Sequence, residues 1–147
     1  MPYTKIVYQV IFATKHRAKV LTKENRDLLL HYFLGVFKNN KCFVHAINGV
    51  SDHLHFVFSL HPTVALSNLV KDLKLGSHFK IEETGWFPGF RRWAISYAAF
   101  TYSQEALPNL IRYVENQEQH HGEESSKDEL RRLLKANGVE YKEEYLE

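Results

Sequence analysis

Two extended segments with only a short turn between them constrain this chain more than any other feature. Residues 42–50 and 53–60 are rich in β-branched and aromatic types and are joined through Gly49-Val50-Ser51-Asp52. Strands that close in sequence pair as an antiparallel hairpin. The second of them, His53-Leu54-His55-Phe56-Val57-Phe58-Ser59-Leu60, alternates strictly. Leu54, Phe56, Phe58 and Leu60 therefore share one face and define a core.

The segments around the hairpin alternate between two periods. Residues 3–14 read as a central strand, apolar on both faces. Thr22 can cap a helix running to about Lys38, with Leu29, Tyr32, Phe33, Val36 and Phe37 at helical spacing. Pro62 and Thr63 open a second helix striped by Leu66, Leu69, Val70 and Leu73. After a Gly/Pro loop at residues 84–89, residues 93–103 read as a fourth strand. A third helix covers about 105–120, with Pro108 tolerated in its first turn. A polar hinge and a last helix near 127–136 follow. The order β-α-β-β-α-β-α-α predicts an α+β fold, a ferredoxin-like or RRM-like antiparallel sheet with helices packed on one face. The other sheet face is then free to carry a site.

At 147 residues the chain is one domain's worth. The charge is uneven along it: residues 1–121 are basic, and residues 122–147 hold 5 Lys+Arg against 8 Asp+Glu. This divides the chain into a main unit, 1–121, and an acidic helical extension of the same domain, 122–147. A basic body fits a polyanionic partner without proving one. The single cysteine, Cys42, reads as a buried thiol, and no stretch reaches the length of a membrane span. Residues 1–15 lack the layout of a signal peptide, so the expected location is the cytoplasm.

The chemistry-bearing residues fall in two places. His53 and His55 project together from the face opposite Leu54 and Phe56, roughly 7 Å apart along the strand, close enough for both rings to turn onto one cation. Taken alone, such a pair is most often the solvent side of a half-buried strand. On the third helix, Leu107, Leu110, Ile111 and Val114 form an apolar stripe, with Tyr113 and Gln117 stacked one turn apart at its edge. Alone, these read as an edge tyrosine and a surface amide.

A histidine-hydrophobe-histidine triplet on a strand, followed by a helix bearing Tyr-x-x-x-Gln, resembles the signature of the single-tyrosine HUH transposases of small insertion sequences and of the repeat-associated tyrosine transposases. The likeness extends to Thr14-Lys15-His16-Arg17, Asp52-His53-Leu54-His55, Leu73-Lys74-Leu75-Gly76-Ser77, residues 97–103 and Tyr113-Val114-Glu115-Asn116-Gln117, spanning about residues 3–121. Ser96 departs from it, where relatives often carry glycine.

The resemblance implies that His53, His55 and Gln117 ligate Mg²⁺ or Mn²⁺, a neutral N/O set that leaves positions open for phosphate oxygens. It implies that Tyr113 is the nucleophile, cutting single-stranded DNA through a 5′-phosphotyrosine link that a 3′-hydroxyl can later resolve. It also implies hairpin-marked DNA ends and a homodimer in which the tyrosine helix can come from the partner. Lys15, Arg17, Lys71, Lys74, Arg91 and Arg92 are candidates for the DNA backbone, and His120 for an auxiliary contact to phosphate or metal. Tyr97, Phe100 and Tyr102 are candidates for base stacking. Asp52 is a candidate to orient a histidine.

A non-catalytic nucleic-acid-binding module is the competing class, but it needs neither the histidines nor Tyr113, and no glycine-aromatic motif of that kind is present. A nicking enzyme would share the chemistry on a longer chain. A domesticated relative acting on chromosomal repeats would look the same in sequence.

Overall fold

A computed structural model describes residues 2–146. Its strands are β1 (Val7–Ala13), β2 (Phe43–Gly49), β3 (His53–Ser59) and β4 (Ala98–Tyr102). Its helices are α1 (Lys23–Asn39), α2 (Leu66–Thr84), α3 (Leu107–Glu115), α4 (Gln117–His120) and α5 (Ser126–Ala136). The strands form one antiparallel sheet in the order β2-β3-β1-β4. This is the α+β, ferredoxin-like layout expected from the order of elements.

The alternation in β3 decides what each face does. Leu54, Phe56 and Phe58 join Val10 and Phe12 of β1 beneath α1 and α2. Phe56 is fully buried, its ring 5.0 Å from Phe33, 5.1 Å from Phe12 and 5.7 Å from Phe37. Burying one such ring contributes roughly 1.5–3 kcal/mol, which makes this side the main source of stability.

The opposite face is not open, as the element order had suggested. At one end α3 sets Leu107, Leu110 and Val114 on Val7, Ala46 and Val57. At the other, Leu133 and Leu134 of α5 pack on Ile11 of β1, Phe100 of β4 and Leu146 near the end of the chain. Ser125 caps α5 by accepting a hydrogen bond from the Asp128 amide at 3.1 Å. The polar strip of Gln9, His53 and His55 lies between the two apolar patches and is buried with them. Two buried apolar seams hold the helices in place over it.

Four elements differ from the sequence reading: β1 starts at Val7 and not at residue 3, α2 starts at Leu66 and not at Pro62, and two more differ for a visible reason. The fourth strand is shorter than 93–103: Trp93 and Ala94 still bond the end of β1, but the chain then turns away, and Lys74 Nζ donates to the carbonyls of Ala94, Ile95 and Ser96 at 2.8, 3.0 and 3.0 Å. The helix expected over 105–120 breaks at Asn116 (φ −97°, ψ 22°). Asn48 of β2 explains the break. Its Nδ2 donates to the carbonyls of Val114 and Glu115 at 2.9 and 3.1 Å, satisfying acceptors left over at a helix end.

Candidate active site

His53 and His55 enter the site from β3, held by the strands on either side. His53 lies opposite Ala13 and His55 opposite Ile11 of β1, and His55 pairs with Asn48 of β2. Gly49 lets the β2–β3 hairpin close tightly here, since a Cβ at that position would lie 2.9 Å from the His53 carbonyl and 2.3 Å from Leu54 Cδ2. Both imidazoles are buried, at 1% and 0% exposure, so they are not the solvent side of a half-buried strand.

Each ring has one nitrogen committed. His53 Nδ1 donates to Asp52 Oδ1 at 2.7 Å, and His55 Nδ1 donates to Gln9 Oε1 at 2.7 Å. An Nδ1–H spent on an acceptor leaves Nε2 as the nitrogen that faces the site, the arrangement found behind metal-bound histidines. Asp52 is anchored in turn. Its Oδ2 accepts from Ser126 Oγ at 3.0 Å, and Ser126 Oγ accepts from Arg17 Nη1 at 3.0 Å. Arg17 reaches across from a turn in which His16 and Arg17 both have positive φ, 55° and 53°.

The helix side supplies Tyr113 and Gln117. The Tyr113 ring centroid stands 6.1 Å from that of His55, so phenol and imidazoles meet within one chain. Gln117 is fully buried and its Nε2 donates to Glu129 Oε2 at 3.1 Å, while its Oε1 has no partner. Arg26 of α1 donates to Glu118 at 2.8 Å and holds α4 down beside the sheet. Asn48→Ala would free the carbonyls at the α3–α4 break, and we expect it to lower stability by about 1–2 kcal/mol in urea unfolding. An unchanged unfolding midpoint would show that the break does not depend on Asn48.

Two members of the cluster were not among the site residues expected from the sequence: Glu129, and His121, passed over for its neighbour His120. Glu129, on α5, is 1% exposed and sits at the centre of the cluster. Its Oε1 lies 3.1 Å from His53 Nε2, 3.0 Å from His55 Nε2 and 2.9 Å from His121 Nε2. Its Oε2 accepts from Gln117 and from the Tyr113 hydroxyl. Glu129 follows the apolar stripe of α5, four residues before Leu133, and that spacing is the one signal in the sequence that places it inward. His120, the expected auxiliary, stands beside the tyrosine, with Nε2 3.4 Å from Tyr113 Oη and 2.8 Å from Glu124 Oε1.

The electrostatics follow from burial and pairing. Burial pushes the His55 pKa down to about 4, outweighing its contact with Glu129, so this ring is neutral at pH 7. Burial also works against charge on His53, but the bonds to Asp52 and Glu129 carry its pKa above the ordinary value. Burial would raise the Glu129 pKa, yet His121, His53 and His55 hold it well below the carboxylate range. Burial and the Glu129 contact raise Tyr113 above its usual value, against the pull of Arg132, whose Nη2 lies 2.8 Å from the phenolic oxygen. Tyr113 is therefore a protonated phenol in this arrangement.

Of the basic candidates, Lys15, Arg91 and Arg92 share a small hollow of about 200 Å³ beside Thr14, whose amide donates to the Asp52 carbonyl, so they flank the His53 end of the site. Lys71 and Lys74 are on α2, behind the sheet, and Lys74 is committed to the three carbonyls named above. Burial and nearby Arg92 lower its pKa to about 8. Tyr97 is exposed, Phe100 is buried, and Tyr102 is half-buried, accepting from Gln9 Nε2 at 2.8 Å. A groove of about 690 Å³, bordered by Arg17, Tyr97, Glu129, Tyr141 and Lys142, runs from the cluster past the end of β1 and the segment that leads into β4.

An antiparallel sheet presenting two histidines from an inner strand toward a helix-borne tyrosine and glutamine is the plan of a single-tyrosine HUH transposase. The sequence pattern of the family described as "Transposase IS200 like" matches residues 2–117. The chain belongs to that family. It is 28% identical over 120 residues to the ISDra2 transposase TnpA of Deinococcus radiodurans, covering 77% of this chain and 84% of that protein. Among solved structures it resembles a transposase from Deinococcus radiodurans R1, with TM-score 0.63 and 26% identity over 79% of this chain and 93% of the other. The fold also matches a REP-associated tyrosine transposase bound to a REP hairpin, with TM-score 0.61 and 14% identity over 83% and 72% of the two chains.

Proposed function

We propose that this transposase cuts and rejoins single-stranded DNA through Tyr113, with His53, His55 and Gln117 holding a Mg²⁺ or Mn²⁺ ion. The observation that carries this reading is the convergence in one chain of two Nε2 atoms, the buried amide of Gln117 and a phenol. The residues fit a divalent ion: two imidazole Nε2 atoms face the site, and Gln117, whose buried Oε1 lacks a partner, can turn that oxygen to the ion once Glu129 withdraws. When bound, the ion would polarise the scissile phosphodiester and take up charge developing on its oxygens.

The remaining steps belong to the chain's own groups. Tyr113 Oη attacks phosphorus, the bond to the 3′-oxygen breaks, and the products are a 5′-phosphotyrosine link and a 3′-hydroxyl. The phenol gives up its proton and the departing 3′-oxygen gains one. Reversal by a different 3′-hydroxyl joins new strands without an external energy source. Arg132, beside the phenolic oxygen, favours the phenolate. For DNA to reach Tyr113, Glu129 must first release it, so residues 122–147 act as an extension of the 1–121 unit that covers the centre.

The groove beside the end of β1 has room for an unpaired strand, with Tyr97 exposed for base stacking and Arg17 and Lys142 on its walls. Hairpin-marked ends are the substrate implied by kinship, and the REP-associated relative was itself solved with a hairpin. Each chain's Tyr113 reaches its own histidines, so a homodimer would serve to hold two DNA ends together. No helix among the described residues is long and apolar enough to cross a membrane. We place the activity in the cytoplasm, where the DNA lies.

The test is incubation of the protein with labelled single-stranded hairpin oligonucleotides and Mn²⁺ or Mg²⁺, followed by denaturing gels. A covalent adduct that EDTA abolishes is expected, and a free nick with no adduct would remove the tyrosine mechanism. Arg91→Ala should also reduce the slope of log affinity against log salt by about 0.7 for each phosphate that Arg91 neutralises. Lys71→Ala, on α2 behind the sheet, is the control. An unchanged slope for Arg91→Ala would take that residue off the DNA path.

A further inference from the structure

We propose that His121 and Glu129 are themselves metal ligands, completing with His53 and His55 a closed three-nitrogen, one-oxygen centre suited to Zn²⁺. This rests on the reading that His53 and His55 bind a divalent ion, and it assigns a second ligand set that excludes Gln117.

The commitment of the ring nitrogens leads to this set. His121 Nδ1 faces the backbone carbonyl of Glu124 at 2.7 Å, and a carbonyl can only accept, so that nitrogen carries the proton. His53 and His55 are fixed in the same sense by Asp52 and Gln9. Three imidazoles from two separate parts of the fold thus turn three Nε2 atoms toward one point, and Glu129 Oε1 is there, 2.9–3.1 Å from each. Each contact holds only with a proton or a cation between nitrogen and oxygen. A single cation serves all four groups at once.

The spacing agrees. The four ligand atoms lie within 4.8 Å of one another. Bonds of about 2.1 Å in a tetrahedron hold ligand atoms roughly 3.4 Å apart, so a few tenths of an ångström of carboxylate withdrawal makes room. Three imidazoles and a carboxylate are donors that Zn²⁺ accepts readily, and it ranks above Mn²⁺ in affinity for such a set.

Gln117 supplies the independent observation. Its buried Oε1 has no partner, while its Nε2 donates to Glu129 Oε2 at 3.1 Å. With Glu129 as ligand, the amide is reduced to orienting the carboxylate. With Glu129 withdrawn, the same amide can turn its oxygen to the ion. The two sets are mutually exclusive, and the closed one leaves no position for a phosphate oxygen. The Asp52–Ser126–Arg17 chain pins the start of α5 in the closed arrangement.

Titration of the full-length protein with Zn²⁺, and with Co²⁺ as a visible stand-in, tests this directly. One equivalent of Co²⁺ should bind with the intense visible absorption of a four-coordinate centre. His121→Ala and Glu129→Gln should each lower Zn²⁺ affinity at least about tenfold and bleach that band, with far-UV circular dichroism unchanged. Gln117→Ala, which removes a hydrogen bond to Glu129 and no ligand of the closed set, should keep the four-coordinate Co²⁺ band. If His53→Ala abolishes binding while His121→Ala and Glu129→Gln keep full affinity and the band, the four-ligand centre is wrong and the histidine-pair site stands. If the wild type binds no ion, both fall together.

Discussion

Replacing Tyr113 with phenylalanine is expected to abolish the covalent protein–DNA adduct and reduce strand cleavage by on the order of a thousandfold or more. The change removes one oxygen and little else. The ring keeps its place against His55 and its partial burial at the apolar patch under α3, so packing there is retained. What is lost is the proposed nucleophile, together with the hydroxyl's bonds to Glu129 and Arg132. Those bonds lie on the path to reaction, because a phenol raised above its ordinary pKa by burial and by a carboxylate is a poor nucleophile until that carboxylate moves. The variant should therefore fold with near wild-type stability and still bind single-stranded DNA. Labelled oligonucleotides on denaturing gels, with binding measured in parallel, separate the two functions. An adduct persisting in Tyr113→Phe would move the nucleophile to another residue.

The half of the site that could be read from sequence is the half carried by periodicity. Alternation in β3 put Leu54, Phe56 and Phe58 on one face and the two histidines on the other, and strand geometry allows little else. The four-residue spacing of Tyr113 and Gln117 survived the break at Asn116, because α4 resumes at once and Arg26 anchors it. The break itself was hidden, since its cause, Asn48, lies 66 residues earlier in the chain. Glu129 was hidden for a different reason. A single carboxylate in an acidic tail looks like a solvated charge, and only docking of Leu133 and Leu134 on Ile11 and Phe100 carries it into the cluster. His121 was masked by its neighbour. Helical spacing from Tyr113 pointed to His120, which does stand beside the tyrosine, whereas His121 meets the histidine pair only through the tertiary fold.

His55→Ala should weaken Mn²⁺ binding by at least about a hundredfold and remove cleavage with it, because this ring is one of the two imidazoles of the proposed open ligand set. Its burial makes the result more than a ligand deletion. The ring is fully enclosed and neutral at pH 7, with Nδ1 donating to Gln9 Oε1, and Gln9 is itself fully buried and tied through Nε2 to Tyr102. Alanine leaves that amide oxygen without its donor, at a cost of about 1–3 kcal/mol. Removing the His55 Nε2 from beside the Glu129 carboxylate partly offsets this in the metal-free protein. The two effects can be told apart by adding the ion. Without metal, the wild type and His55→Ala should differ by no more than that cost in urea unfolding. With saturating Mn²⁺ the gap should widen, since only the wild type gains stability by binding. Equal stabilisation of both proteins by Mn²⁺ would place the ion elsewhere and leave His55 a structural histidine under α5.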